Sequence, residues 1–334
     1  MPSHCRGIDL GLSRRTLLGV AASTVLTPVL ATTAGADDYP SRPIHLIVGF
    51  PPGGGVDIVA RLMAQYLSER LGQQVIVENK PGAGGNVATE FVVRSPADGY
   101  TLTYVGPVAA INPAFYKNLG FDFLRDIAPV ASFMRVPLVL EVTPSLAVTT
   151  VPEFIAYARA NPGKLNMASS GVGTAGHVAG ELFQMMTGVK LFHVPYRGET
   201  PALNDLIAGR VEVTFNPLPA SIGYLRAGKL RALAVTTTTR SQIFPDVPCI
   251  GDFVPGYEAS VWYGVGAPKD TSKTIIDRLN GEINGALADP KIESRLAALG
   301  GIMLPGSPAD FGKLIAEETV KWAKVVKYSG IEPQ

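Results

Sequence analysis

The chain has 334 residues, of which 46% are hydrophobic, enough for a sizeable core in one large or two medium domains. Its 29 lysines and arginines nearly balance 28 aspartates and glutamates, and no basic run is interleaved with aromatics, which excludes a nucleic-acid binder or a protein of anionic membrane surfaces. The two cysteines, Cys5 and Cys249, are too few for a disulfide framework or a thiolate metal site.

From the N-terminus, Ser13, Arg14, Arg15, Thr16, Leu17 and Leu18 open a short apolar run that ends near Leu30, and Ala34, Gly35 and Ala36 form a small-x-small cleavage site. Residues 1–36 therefore read as an export signal of the twin-arginine type, cleaved near Ala36. Ser23, Thr24, Thr27 and Pro28 interrupt the run, which is shorter than the ~20 residues of a membrane span. Loss of Arg6, Arg14, Arg15 and Asp9 with the signal moves the net charge from +1 to −1 and leaves Cys249 alone.

Beyond Asp37, short apolar strands alternate with amphipathic helices, the pattern of an α/β protein with mostly parallel strands. Strands are expected over residues 44–50, 74–78, 101–106, 128–133, 138–143, 165–169, 191–195, 211–216, 230–236 and 261–267. The first runs through Phe50, Pro51, Pro52, Gly53, Gly54 and Gly55 into a helix whose buried face is Val56, Val59, Ala60, Met63, Leu67 and Leu71, with Gly72 as its stop. A turn stripped of Cβ atoms exposes the unpaired N–H groups of the helix start, where the dipole favours an anion. The glycines lead to Val56 and Asp57 rather than to Lys-Ser/Thr, so this is no P-loop.

Three further loops follow strands. Pro81, Gly82, Ala83, Gly84, Gly85 and Asn86 precede a helix through Val93, and Gly106 and Pro107 begin a loop of small residues through Pro113. Ser170, Gly171, Val172, Gly173 and Thr174 lead into a helix bearing His177, Val178, Leu182 and Phe183. This last loop is a literal GxGxxG, but the next strand ends in Val194, Pro195, Tyr196 and Arg197 with Glu199 only in the turn beyond, so the dinucleotide context fails. It offers instead a second set of N–H groups together with the Ser170 and Thr174 hydroxyls. Thr150, Val151, Pro152 and Glu153 read as a capping box, and Ser307, Pro308, Ala309 and Asp310 start a terminal helix.

Catalytic and metal chemistry find little support. No GxSxG elbow, HExxH or aspartate-rich calcium loop is present, and the only arrangement that suggests a Ser-His pair is His177 with Ser169 and Ser170. We expect no catalytic residue, no metal and no cofactor. Residues 133–142 with Pro137, and residues 236–263 with Pro245, Pro248 and Pro255, read as crossings between two lobes.

Ordered blocks along the mature chain carry a resemblance: Tyr39 to Ile44, Phe50 to Gly54 with Asp57, Glu78 to Asn86, Ala97 to Leu102, Ile111 to Pro113, Pro195 to Gly198 with Pro201 to Leu203, Ala208 to Val211, and Gly228 to Val235. In these the chain resembles the substrate-binding receptors of tripartite tricarboxylate transporters, the Bug receptors. The resemblance implies a two-lobed type II periplasmic binding fold with an interlobe cleft and hinge strands. Residues 37–137 and 262–334 would form lobe 1 and residues 138–261 lobe 2. It implies a periplasmic receptor holding a small organic carboxylate through backbone N–H groups, hydroxyls and water, and delivering it to the membrane subunits of a transporter. Candidate ligand contacts are Phe50, Pro52, Gly53, Gly54, Val56, Asp57, Gly106, Pro107, Ser170, Gly171, Gly173, Thr174, Tyr196 and Asn216. Arg197 stands where a basic residue is usual, and Asn216 replaces a frequent aspartate, which weakens the case for an amino-acid ligand. A monomer is the simplest state for a cleft that opens and closes. A sensor-coupled receptor and a hydrolase built on Ser170 and His177 are the competing readings.

Overall fold

A computed structural model describes residues 39–116 and 118–330. The proposed export signal lies outside the described residues, and among those described no helix is long and apolar enough to cross a membrane.

Most strands form where β-branched and aliphatic residues cluster, and the side chains of Thr150, Ser272, Asp289 and Ser307 cap the helices that follow them. β1 (Ile44–Val48) feeds α1 (Gly55–Leu71), which returns to β2 (Val75–Asn79), and α2 (Asn86–Val93) leads on to β3 (Thr101–Val105). β1 pairs in parallel with both β2 and β3. α1 stops as its sequence predicts, at Gly72 in the left-handed conformation. The loop after β3 is shorter than expected, because α3 (Val108–Phe115) begins at once and absorbs Pro113.

α4 (Phe123–Asp126) precedes β4 (Ile127–Val142), one continuous strand of 16 residues where the sequence suggested two. The apparent break lies at Pro137, which cannot donate to a ladder. At that point β4 exchanges partners. Residues up to Pro137 pair antiparallel with β9 (Ser260–Pro268), and Leu138 to Val142 pair antiparallel with β7 (Val213–Pro217). β8 (Arg231–Val235) lies against the same end of β4, and β10 (Ile302–Met303), unforeseen from sequence, against Met134 and Arg135. Strand order runs β2-β1-β3-β9-β4 on one side and β4-β7-β5-β6 on the other. β5 (Asn166–Ser169) and β6 (Phe192–Pro195) are parallel, as βαβ crossovers require.

The crossing is tied by one side chain. Thr236 Oγ1 accepts the Leu138 N–H at 2.9 Å and donates to the Leu138 carbonyl at 3.0 Å, while the Thr236 carbonyl accepts the Ala259 N–H at 3.0 Å. The outgoing and returning connections are thus stitched together at the same level of the fold.

In the second sheet, α5 (Val151–Ala160) starts at Thr150, whose hydroxyl accepts the Glu153 N–H at 3.3 Å. The reciprocal bond expected of a capping box shifts by one residue: the Glu153 carboxylate takes the Thr149 N–H at 2.7 Å. α6 (Ala175–Thr187), α7 (Glu199–Ile207) and α8 (Leu218–Arg226) complete this side, and α9 (Lys273–Leu287) and α10 (Pro290–Ala298) cover the first sheet. α11 (Pro308–Ser329) starts where the sequence places it, with a full capping box between Ser307 and Asp310, and packs on α3, α6 and β4 through Phe311, Ile315, Trp322, Val325 and Val326. Every residue of β9 is buried, as is nearly all of β4, so the core runs through both sheets around this central pair.

Candidate functional site

The loops ending β1 and β2 meet those ending β6 and β5, with Pro51 against Gly198 and Gly84 against Val172. Between them lies an outer cavity of about 680 Å³ lined by residues 49–51, 81–85, 116, 170–172 and 195–198. Deeper in, a nearly filled space of about 20 Å³ is enclosed mainly by Phe50, Val56, Tyr104, Pro107, Ser170, Thr174 and Glu199. Such a volume holds about one water-sized group.

Glycine is needed at specific places in this enclosure. A Cβ on Gly49 would lie 2.6 Å from the Gly85 Cα, so the β1 and β2 loops touch backbone to backbone. Gly198, at φ +118°, would push a Cβ to 2.9 Å from Pro51, which brings the β6 loop onto the β1 loop. The loops of the two sheets are therefore in direct contact around the cavity mouth.

The first cradle is partly filled by the protein itself. The Gly55 N–H donates to Glu199 Oε2 at 2.6 Å, a bond from the first residue of α1 to the first residue of α7. The Gly53 N–H donates to Asp57 Oδ2 at 3.0 Å. The Asp57 carboxylate also takes Arg61 Nε at 3.0 Å and Asn79 Nδ2 at 2.9 Å, so it braces the loop from behind. Burial raises the pKa of Asp57, but the bonds from Arg61, Gly53 and Asn79 outweigh it and the net displacement is downward.

The second cradle is also largely self-satisfied. The Gly171 N–H donates to Ser169 Oγ at 3.2 Å, the Gly173 N–H to His177 Nδ1 at 3.2 Å, and the Thr174 hydroxyl to the Gly171 carbonyl at 2.7 Å. Ser170 lines both cavities, and no hydrogen bond engages its hydroxyl among the described residues.

The structure distributes the fourteen candidate residues as follows. Phe50, Ser170, Gly171 and Tyr196 line the outer cavity; Phe50, Val56, Pro107, Ser170 and Thr174 line the inner one. Gly54 faces Glu199, whose Oε2 would lie 3.1 Å from an added Cβ. Gly106 shapes the inner wall, since a Cβ there would overlap the Tyr104 hydroxyl. Gly173 packs against Asn112. Pro52 and Gly53 are exposed and line neither space. Asp57 points to Arg61 and Asn79, and Asn216 donates to Ser221 Oγ and the Pro217 carbonyl, both at 3.2 Å. Tyr196 lines the outer cavity while its hydroxyl donates to Asp205 at 2.8 Å.

Three residues beside the inner cavity are not among the candidate ligand contacts read from the sequence: Glu199, Tyr104 and Tyr263. Glu199 is readable as an acid in the first turn of a helix, but nothing local shows that it faces α1. Burial raises its pKa to about 7, opposed by the Gly55 N–H. Tyr263 Oη is buried with no partner, and it would lie 3.5 Å from a Cβ on Gly55, close to Glu199. Glu141, on β4, is raised by burial to about 8, and Ser221 donates to it.

No Ser170–His177 pair forms. His177 stacks on His193 at 3.8 Å, accepts the Gly173 N–H and is 1% exposed, while Ser169 rather than Ser170 bonds His193, at 2.7 Å. Among the described residues no group of His, Cys, Asp and Glu is arranged to hold a metal ion.

The family profile described as "Tripartite tricarboxylate transporter family receptor" matches residues 59–331. Protein BugT of Bordetella pertussis is 38% identical over 94% of this chain and 97% of its own length. The solved structure of R. palustris Rpa4515 with adipate superposes with a TM-score of 0.86 at 41% identity, covering 89% of this chain and all of that one. The periplasmic binding protein BugD gives 0.84 at 32% identity, with the same coverage. MatC from Rhodopseudomonas palustris with bound malate gives 0.81 at 30% identity, covering 86% of this chain and 100% of its own.

Proposed function

Because the chain belongs to the tripartite tricarboxylate transporter receptor family and has its two-lobed type II periplasmic binding fold, we propose that it is a periplasmic receptor that captures a small organic carboxylate between its lobes and delivers it to the transporter's membrane subunits. The family and its structural neighbours are binding proteins, and the Ser170–His177 pair on which the hydrolase reading rests does not form. The observation that carries the reading is the cavity of about 680 Å³ enclosed by glycine-rich loops at the C-terminal ends of strands from both sheets. That is where open α/β sheets place their ligands, and helix N-termini there favour negative charge.

In this reading lobe 1 comprises residues 37–137 and 262–334 and lobe 2 residues 138–261, supported by the exchange of β4 partners at Pro137 and Leu138. Phe50, Ser170, Gly171 and Tyr196 contact ligand in the outer cavity, and Val56, Pro107 and Thr174 in the inner one. Gly54, Gly106 and Gly173 keep the walls thin. Residues 1–36 direct export and are removed near Ala36. Contacts made to both lobes at once favour the closed state over the open one.

The test is a thermal-shift screen of the purified protein against mono-, di- and tricarboxylates, aromatic acids and amino acids. A ligand that binds only the native state adds about 2.7 kcal/mol of stability at one hundred times its dissociation constant. A selective shift with one class of acid supports the reading. No shift with any acid, repeated after unfolding and refolding to strip bound ligand, rejects it.

A further inference from the structure

Glu199 is an acid buried where an anion is to be received. It is 8% exposed, it lines the inner cavity beside Ser170 and Thr174, and its carboxylate already takes the Gly55 N–H at 2.6 Å. Among the described residues no lysine, arginine or histidine lines that cavity. The titratable groups that face Glu199 are Tyr104 from β3, Tyr263 from β9 and Glu141 from β4, none of them cationic. α1 offers backbone N–H groups and an Asp57–Arg61 pair turned toward Asn79, α6 and α8 offer no charge there, and Arg197 is exposed at the cavity mouth. A second anion entering this enclosure meets a carboxylate with no counter-ion, and two carboxylates sharing a site cannot both stay ionised cheaply.

We propose that Glu199 contacts the ligand and takes a proton from solvent as the carboxylate enters, so that the receptor captures an organic acid anion together with one proton. This rests on the carboxylate reading above and adds the form in which the acid is held. One oxygen of neutral Glu199 keeps the Gly55 N–H and the other donates its O–H to the ligand carboxylate. The unpartnered Tyr263 hydroxyl, 3.5 Å from where a Cβ on Gly55 would lie, adjoins Glu199 although it lines neither cavity. Burial has already brought Glu199 to about 7 before any ligand arrives, so the uptake on binding grows from about half a proton near pH 7 to about one proton at alkaline pH.

Calorimetry of adipate binding in two buffers of different ionisation enthalpy reads the proton directly on the unaltered protein. We expect uptake of about one proton near pH 8, and an affinity whose fall steepens from about threefold per pH unit near pH 7 to about tenfold per unit above about pH 8, where free adipate carries both charges. Glu199→Gln, a neutral mimic of the protonated acid, should bind adipate with no proton uptake and a flat pH profile. Wild-type binding without proton uptake and with a flat profile overturns the proposal while leaving the carboxylate reading intact. Failure of both proteins to bind adipate, malate or benzoate at any pH counts against the carboxylate reading itself, and the proposal falls with it.

Discussion

Glu141 should make this protein lose stability as pH rises, opposite to the behaviour of an ion-paired carboxylate. It lies on β4 at 0% exposure, its Oε1 receives the Ser221 hydroxyl, and its Oε2 has no partner. Burial, only partly offset by Ser221, lifts it from 4.5 to about 8. A folded-state pKa above the unfolded one means that the folded protein holds the proton more tightly. The associated stability is fully present below about 4.5 and is lost as pH rises toward about 8. At about 1.4 kcal/mol per factor of ten, that loss is on the order of 5 kcal/mol. Glu141→Gln is nearly isosteric, keeps an acceptor for Ser221 and cannot ionise. Urea denaturation of both proteins from pH 5 to pH 8.5 isolates the effect, because His177 and His193, which titrate in the opposite sense, are common to both and cancel in the difference. The variant should match wild type near pH 5 and exceed it by several kcal/mol at pH 8.5. A difference curve that stays flat across this range would show that Glu141 ionises normally and would refute the reasoning.

Thr236→Val removes the hydroxyl that receives the Leu138 N–H and leaves that buried donor unpaired, so it should cost about 1–3 kcal/mol in urea denaturation while Thr236→Ser restores most of it. Gly54→Leu places a branched side chain where an added Cβ already lies 3.1 Å from Glu199 Oε2; ligand-induced thermal shift should disappear while the far-UV circular dichroism is kept. Gly198→Ala forces a Cβ at φ +118° to within 2.9 Å of Pro51, costing about 1–3 kcal/mol of strain in the contact across the mouth, and calorimetry should show weaker ligand binding. Tyr196→Phe loses only the bond to Asp205, so a small stability change of about 1 kcal/mol is expected, read by thermal unfolding.

What the sequence discloses about this fold divides along a physical line. The Ser307–Asp310 capping box, the Gly72 stop, the alternation of strand and helix, and the glycine loops all depend on interactions within a few residues, and each appears where its pattern stands. β4 shows where local reading ends. Pro137 breaks the hydrogen-bonding pattern of one strand, but only the arrival of β9 on one side and β7 on the other makes that break a change of partners rather than a turn. The site follows the same division. Phe50, Val56, Ser170 and Thr174 are found because the loops that carry them announce themselves through glycine. Asp57 and Asn216 illustrate the converse, since residues near a glycine loop or at a strand end need not face the ligand: their side chains are consumed by Arg61 and Asn79, and by Ser221. Glu199 is the extreme case. Its meaning comes from Gly55, 144 residues earlier in the chain, and from the lack of a cation among the described residues lining the cavity between them. An acid in the first turn of a helix is ordinarily a favourable match to that helix's own dipole. Here the same carboxylate also serves the dipole of a second helix, and it occupies the N–H that the glycine loop holds open. A receptor built this way has to reconcile its own negative charge with that of its ligand, and the means of doing so, a proton or a displaced side chain, is decided by contacts no local pattern encodes.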